Sequence, residues 1–466
     1  MADTEEKKTT TTSPDEGVEQ KDPFLKDPNK KKRKKKNNKK KKGARERELL
    51  ALLRQRVSED EVITMMKNEL GDQYDKQLKA AHGFWDHQPV LPLDAQVELE
   101  DNCPIDRIKT VDEISKDPLP LPAAYEWCEI DIEDENALQE VYELLRDNYV
   151  EDDDNLFRFD YSKEFLKWAM QPPGYKSSWH ICVRAKDSQR LFGFITAIPA
   201  LIRVYEKKIP MVEINFLCVH KKLRAKRLAP VLIKEITRRV NVTDTWQAVY
   251  TAGRVLPKPM ASCQYFHRTL NPVKLVAIKF THLPPRQSMA MMKRLYALPK
   301  EPETPGFRPM TKRDVGAVTQ LLRTYLAKFH LAPILDEQEV AHWCLPRDDV
   351  IYSYVVEDPE TKQVTDFGSF YKLPSTVIGN ARYSTLNAAY SYYNVATKTP
   401  LVDLMKDILI MAKQCDFDVF NALNVMDNSE FLEPLRFGAG DGHLQFYLYN
   451  WKCAPTTPPN VGLVLL

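Results

Sequence analysis

From about residue 137 onward, stretches whose apolar residues recur at helical spacing alternate with stretches of strand-like spacing. The first series predicts a helix over Ala137–Tyr149, then strands over Trp179–Arg184 and Leu191–Pro199 joined across residues 186–189. A strand over Met211–Val219, a helix over Leu228–Val240 and a strand over Trp246–Thr251 follow. A short aromatic-rich helix near Gln264–Leu270 and a strand over Lys274–Phe280 close it. The helix at 228 rests on Leu228, Leu232, Ile236 and Val240 sharing one face, with Lys234, Arg238 and Arg239 elsewhere.

The same order then recurs. A helix over Val315–Phe329 precedes strands over Ile351–Val356, Thr365–Tyr371 and Ala388–Val395. A helix over Leu401–Gln414, a strand over Asp418–Leu423, a short helix over Glu430–Phe437 and a strand over Leu444–Trp451 complete it. Matching elements lie roughly 170–180 residues apart, a repeat of element order rather than of residues. Two copies of one mixed α/β unit, fused with an internal pseudo-repeat, are the simplest account. The chain divides into an arm (1–42), a charged helical segment (43–80), a first lobe (81–298), a linker (299–312) and a second lobe (313–466). Pro299, Pro302, Pro305 and Pro309 mark the linker.

Composition changes this picture at the N-terminus. Residues 30–42 hold eleven Lys/Arg in thirteen positions, and residues 1–29 hold four basic and eight acidic groups. The first 42 residues thus carry +7 of a formal net charge of +2, leaving −5 for the remainder. So polar an arm buries too little apolar area to offset its ordering entropy and is expected to be disordered. Its Lys run suits a solubilising tail, a nuclear signal, or contact with ribosomal RNA or anionic lipid, all resting on charge. The start has no apolar h-region, and no apolar stretch is long enough to span a bilayer. The eight cysteines stand singly without a CxxC pair, so no metal site is expected, and a reduced, cytoplasmic setting is.

The segment Glu213-Ile-Asn-Phe-Leu-Cys-Val-His-Lys221 reads as a strand running into a basic loop, Arg224-Ala-Lys-Arg-Leu-Ala229, and then a helix. A helix start offers free N–H groups and a positive dipole end, which suits a phosphorylated cofactor; an ordinary solvated face is the alternative. Acetyltransferases of the GNAT class bind coenzyme A with this arrangement, usually through an R-x-x-G-x-A loop; here Arg227 stands at the glycine place. A GNAT acetyltransferase acting on amines is one reading, and an RNA- or ribosome-binding protein without catalysis is another.

Glu213–Lys221 resembles the signature of the N-myristoyltransferase family in full. Arg436-Phe-Gly-Ala-Gly-Asp-Gly442 resembles that family's second signature, with arginine in place of lysine. The resemblance extends from about Phe84-Trp85 to the C-terminus. It implies two fused GNAT-like lobes, myristoyl-CoA as co-substrate, and N-terminal glycine peptides and nascent proteins as acceptors. A monomer is expected, and the charge of the arm, which the resemblance does not reach, suits ribosome or peripheral membrane contact.

Residue by residue, the resemblance makes the backbone N–H groups of Phe216 and Leu217 an oxyanion hole and the carboxylate of Leu466 the general base. Thr251 and Asn215 hold the incoming amine or its water. Gly83, Phe84 and Trp85 meet the acyl or pantetheine portion. Phe216, Leu217, Cys218 and Val219 line the cofactor's path, and Arg224, Ala225, Lys226, Arg227, Leu228 and Ala229 form its phosphate loop. The peptide groove takes Tyr149, Asp152, Asp154, Phe157, Phe159 and Tyr161 from one stretch. Gly253, Tyr265, His267, Phe280, Ser369 and Tyr390 add to it, with Gly440, Asp441 and Gly442 from the second signature. Core packing is the alternative for His267 and the aromatics, and a terminal core strand for the apolar tail Val461–Leu466. His220 is expected to pack at the cofactor loop rather than serve as a base.

Overall fold

The computed structural model describes residues 83–466 apart from Leu99, Ile108 and Asp153; the arm and the charged helical segment lie outside the described residues. The first repeat comprises β1 (Tyr125–Glu129), α1 (Glu135–Asn148), β2 (His180–Ala185), β3 (Leu191–Val204), β4 (Lys207–Val219), α2 (Leu228–Asn241), β5 (Ala248–Ala252) and β6 (Ala261–Thr269). The second comprises α3 (Val315–Leu326), β7 (Ile351–Glu357), β8 (Val364–Lys372), β9 (Ala388–Val395), α4 (Leu401–Gln414), β10 (Val419–Leu423) and β11 (Gly438–Tyr449).

These residues form these elements for local reasons. Asp134 caps α1 by accepting from Asn136 N at 2.9 Å, and Leu138, Val141, Leu144 and Leu145 bury one face. In α2 the face of Leu228, Leu232, Ile236 and Val240 is buried as its spacing predicts, and Glu235, also buried there, is held by Arg238 and Arg239. The bounds of β9 and α4 coincide with the sequence reading.

Two expectations fail. Gln264–Leu270 is not helical: it falls within β6, a central strand paired with β11 on one side and β10 on the other. Lys274–Phe280 is not a strand: a helix runs over Pro272–Ala277, with Pro272 in its first turn and the Asn271 side chain accepting from Lys274 N at 3.3 Å. Aromatic and polar residues of a two-sided central strand fall equally well on helical spacing, so the period misleads there. The proline-bearing stretch before α3 contains a strand, Phe307–Pro309, on the outer edge of β7, and Asp407 accepts from Glu303 N and Thr304 N.

All of these strands join one sheet of thirteen, in the order β1-β2-β3-β4-β5-β11-β6-β10-β9-β8-β7 and then Phe307–Pro309, with Leu331–Pro333 pairing β3 off this path. The order shows an exchange between the repeats. Each repeat's last strand leaves its own half: β11 pairs β5 of the first repeat, and β6 pairs β10 of the second. The exchanged strands pair with each other, so the two halves share one sheet.

Candidate active site

The two parallel strand pairs, β4–β5 and β9–β10, open the sheet. Registered pairing of β4 with β5 is confined to Val212↔Ala248 and Glu213↔Val249. Beyond Glu213 the strands part, and a cavity of about 200 Å³ occupies the gap. Its wall includes Asn215, Phe216, Leu217, Thr251 and Leu466, five positions drawn from three distant segments.

A β-bulge shapes the β4 side. Phe194 pairs with Cys218 and Thr196 with Asn215, so Phe216 and Leu217 together face the single residue Ile195. Phe216 takes φ 55°, the left-handed region, which turns the strand and takes its peptide groups out of ladder register. The hydroxyl of Tyr149 lies at the Phe216 amide, and burial holds that phenol well above its ordinary pKa, hence protonated.

The tail reaches the cavity because it is buried along its length. Val461, Leu463 and Leu465 belong to the main core. Gly462 N donates to Leu331 O at 2.7 Å; a Cβ there would lie 2.6 Å from the Phe329 ring, so only glycine fits. Val464 N donates to the Tyr393 hydroxyl at 3.2 Å. At the end, with its amide oriented nitrogen-first toward both oxygens, the Asn215 side chain donates to Ile214 O at 3.2 Å and to the Leu466 main-chain oxygen at 3.0 Å. Glu213, at the head of the same segment, has its carboxyl pushed up to about 8 by burial and by the like charge of Glu339.

Most of the rest of the wall is apolar or aromatic, with Thr237, Asn241 and Gln247 as its other polar side chains. Trp85 stacks on Tyr250 (centroids 5.9 Å, 9° between planes), which stacks on Tyr447 at 5.0 Å. Ile195, Ile214, Ile233, Ile236 and Val240 supply much of its aliphatic surface. Phe84 packs edge-on to Trp85, while Gly83 is exposed and outside the wall.

Past Val219, the His220 ring accepts from Lys222 N at 3.2 Å and so caps a short 3-10 turn, Lys221–Lys226. Arg227, at the place where the R-x-x-G-x-A loop has glycine, adopts φ 58° before α2 begins. The conformation that favours glycine is retained although the side chain is not. Arg224 donates to Asn148 O and to Val219 O, bracing the loop, and Lys221 pairs with Glu151 at 2.6 Å. Lys226 and Arg227 are exposed, whereas Leu228 and Ala229 turn inward with α2. Cys218 points into the core, where burial pushes its thiol up to about 12, far from a thiolate.

From the bulge an aromatic chain crosses to the second repeat. Phe216 touches Tyr149 and Tyr161, Tyr161 touches Phe159, Phe159 meets Tyr390, and Tyr390 meets Tyr265. Phe157 packs on Phe280, which meets His267 at 5.4 Å. His267 Nδ1 lies 2.7 Å from Asn421 Oδ1, and burial lowers its pKa, so the ring is neutral. Gly440 lies against this ring: a Cβ would fall 2.3 Å from His267 Nε2. Gly442 lies near Tyr265, and a Cβ at Gly253 would sit 3.9 Å from His443 O, an ordinary contact. Asp152 spends one carboxylate oxygen on Leu156 N and Phe157 N, shaping its own loop, while Asp154 and Asp441 are exposed.

A family model described as myristoyl-CoA:protein N-myristoyltransferase, N-terminal domain, matches residues 104–263, and the C-terminal domain of the same description matches 277–464. The chain belongs to the N-myristoyltransferase family. It is 55% identical over 388 residues to glycylpeptide N-tetradecanoyltransferase 1 of Arabidopsis thaliana, covering 83% of this chain and 89% of the relative. The Dictyostelium discoideum glycylpeptide N-tetradecanoyltransferase is also 55% identical, covering 83% and 92%. A crystal structure of Saccharomyces cerevisiae N-myristoyltransferase with bound myristoyl-CoA superposes with TM-score 0.79 at 44% identity, covering 83% of this chain and 99% of that one. As a member of this N-myristoyltransferase family the chain is an acyltransferase.

The N-myristoyltransferase fold is used asymmetrically in this chain. The second repeat has its own bulge, at Tyr392 and Tyr393 opposite Ser369. Ser369 fills it: its Oγ donates to Tyr393 O at 2.9 Å and accepts from Tyr393 N at 3.2 Å, and the residue is fully buried. This places Ser369 inside the sheet rather than on the aromatic chain. The loop before α4 is closed by Asp366, whose carboxylate accepts from Thr397 N, Lys398 N, Thr399 N and Thr399 Oγ1. Val464 and Leu465 lie with Tyr265, Tyr371 and Tyr390 at the second opening. Sequence reasoning missed Tyr250, Tyr393, Asn148 and Asp366; each reads locally as an ordinary strand, helix or turn residue.

Proposed function

We propose that this chain transfers a fourteen-carbon acyl group from coenzyme A to the N-terminal glycine amine of other proteins by direct attack. One observation carries the reading: the Leu466 carboxylate, Asn215, Thr251 and the Phe216–Leu217 bulge line a single cavity. An N-terminal ammonium has an ordinary pKa of roughly 7.7–8.0 and must lose a proton before it attacks. The Leu466 carboxylate takes that proton, held in place by the Asn215 amide. The amine nitrogen then bonds to the thioester carbonyl carbon, the C–S bond breaks, and the coenzyme leaves as its thiol or thiolate. Charge developing on the carbonyl oxygen falls to backbone N–H groups of the bulge, as an oxyanion hole requires.

The cavity's apolar wall suits an alkyl chain, each methylene of which contributes about 0.8 kcal/mol when buried. The exposed Lys226 and Arg227 at the start of α2 suit the coenzyme's phosphates. The aromatic chain running from Phe216 to Tyr265 and His267 suits the acceptor peptide. The Lys run at 30–42 supplies attraction to ribosomal RNA or an anionic membrane surface, near which acceptors emerge or come to rest.

Incubating the full chain with alkyne-tagged myristoyl-CoA and a glycine-initiated peptide, beside an alanine-initiated peptide and acetyl-CoA, tests the reading. Label on the glycine peptide alone, with little acetyl transfer, is the expected result. Equal or greater transfer from acetyl-CoA would overturn the acyl assignment, and equal labelling of both peptides the glycine assignment.

A further inference from the structure

None of the chain's cysteines lies in a CxxC pair, but the sheet brings two together. β1 and β2 run antiparallel with Cys128 registered on Cys182. Ile130 N donates to His180 O and Lys186 N to Ala124 O, both at 3.0 Å, which fixes the phase of the ladder. In that phase 130/180, 128/182, 126/184 and 124/186 are the hydrogen-bonded pairs, with Cα atoms about 5.5 Å apart. Disulfides span Cα separations of roughly 4.4–6.8 Å, a range that includes this pair, and a slight approach of the two strands would bring the sulfurs to bonding distance. Directly opposed residues also share a face, so both thiols project to the same side.

The surroundings differentiate the two sulfurs. Cys128 is half-buried and Cys182 fully buried in the main core. Arg184, two residues along β2 on that face, is held by Glu140 of α1 through two guanidinium contacts of 3.2 and 2.6 Å. The neighbouring Cys182 thiol and Arg184 guanidinium hold the Cys128 thiol below the ordinary range, while burial raises that of Cys182. The nucleophile is therefore the more accessible sulfur, and the buried thiol stands behind it. Cys218, Cys263, Cys344 and Cys453 are all pushed up to about 12 by burial.

We propose that Cys128 and Cys182 form a peroxide-reactive dithiol, with Cys128 as the attacking and Cys182 as the resolving sulfur. The Cys128 thiolate attacks one oxygen of hydrogen peroxide, the O–O bond breaks, and hydroxide leaves, giving a sulfenic acid. Cys182 sulfur attacks that sulfur, the S–O bond breaks, and the departing hydroxide carries off the Cys182 proton as water. Two thiols are oxidised to one disulfide and one peroxide is reduced to two waters. Neither sulfur lines the acyl cavity, so the modification site is separate from the acyl-transfer reading.

The test treats the full chain with hydrogen peroxide, blocks remaining thiols with iodoacetamide, and maps peptides without reduction. The expected product is a Cys128–Cys182 cross-linked peptide, lighter by two hydrogens than its parts and lost on adding dithiothreitol. In C182S, dimedone should trap a sulfenic acid on Cys128; in C128S, neither product should form. Cys128 remaining a free thiol while the exposed Cys103 and Cys415 oxidise would overturn the proposal. So would sulfinic acid on Cys128 in the unaltered chain, because it means that Cys182 does not resolve. The cross-link in the unaltered chain decides the matter alone if C182S does not fold.

Discussion

The side-chain amide of Asn215, oriented nitrogen-first, donates to the main-chain oxygen of Leu466 at 3.0 Å, joining the bulged strand to the apolar tail. One partner is a side chain within a sheet. The other is a main-chain oxygen at the end of the buried apolar tail. The contact therefore depends on how the tail is held, not on the identity of its last side chain.

Adding one glycine after Leu466 should lower the rate of acyl transfer by about 100-fold, the lower end of what a positioned base contributes. Binding of the acyl donor should stay within a few-fold, since the cavity wall remains. Leu466→Ala, which keeps the carboxylate, should lose far less. Single-turnover rates beside donor titrations check this, and an unimpaired extended chain would refute the base assignment.

Asp366→Ala should destabilise the fold by about 2–4 kcal/mol while leaving the first-repeat cavity intact. The carboxylate is fully buried, and its removal strips acceptors from the backbone donors of Thr397, Lys398 and Thr399. Urea unfolding midpoints measure the loss, and a change below about 0.5 kcal/mol, the range of ordinary surface substitutions, would contradict it.

Gly440→Ala should reduce kcat/KM for the peptide by about 10-fold, equal to about 1.4 kcal/mol. A Cβ at that position falls on the His267 ring, which must then leave Asn421 or its contact with Phe280. Affinity for the acyl donor should not change. Peptide kinetics at saturating donor separate the two effects.

His180 should make the protein acid-sensitive. Burial lowers this histidine from its model-compound value of 6.5 to about 4, with Nε2 bonded to Met170 O at 3.0 Å and Nδ1 without a partner. The folded chain keeps it neutral, whereas the unfolded chain takes up a proton below 6.5. The stability it contributes is thus present above pH 6.5 and lost as pH falls towards 4, by on the order of 3 kcal/mol. Thermal midpoints from pH 7 to pH 4 should fall, and His180→Gln should flatten that part of the curve.

Much of this protein is legible residue by residue. The four-residue spacing from Leu228 to Val240 announces α2 and its buried face, and the alternation in Ala388–Val395 announces β9, because both depend on neighbours a few positions away. The repeat of element order and the strand–loop–helix step at Val219–Leu228 are local in the same sense, as are the two signature segments.

What lies between distant segments was decided only by the tertiary structure. The apolar spacing of Gly438–Tyr449 is the same whether it pairs with its own repeat or, as it does, with β5 of the other. Gln264–Leu270 reads as helical until strands on both sides claim its backbone. The apolar tail could have been any core strand; burial of Val461, Leu463 and Leu465 brings Leu466 to Asn215. Cys128 and Cys182 look unrelated along the chain and meet because the register of β1 on β2 sets them opposite. Local spacing is encoded by steric and hydrogen-bonding preferences of adjacent residues, whereas pairing across the sheet depends on which packing of the whole chain buries the most apolar surface with its polar groups satisfied.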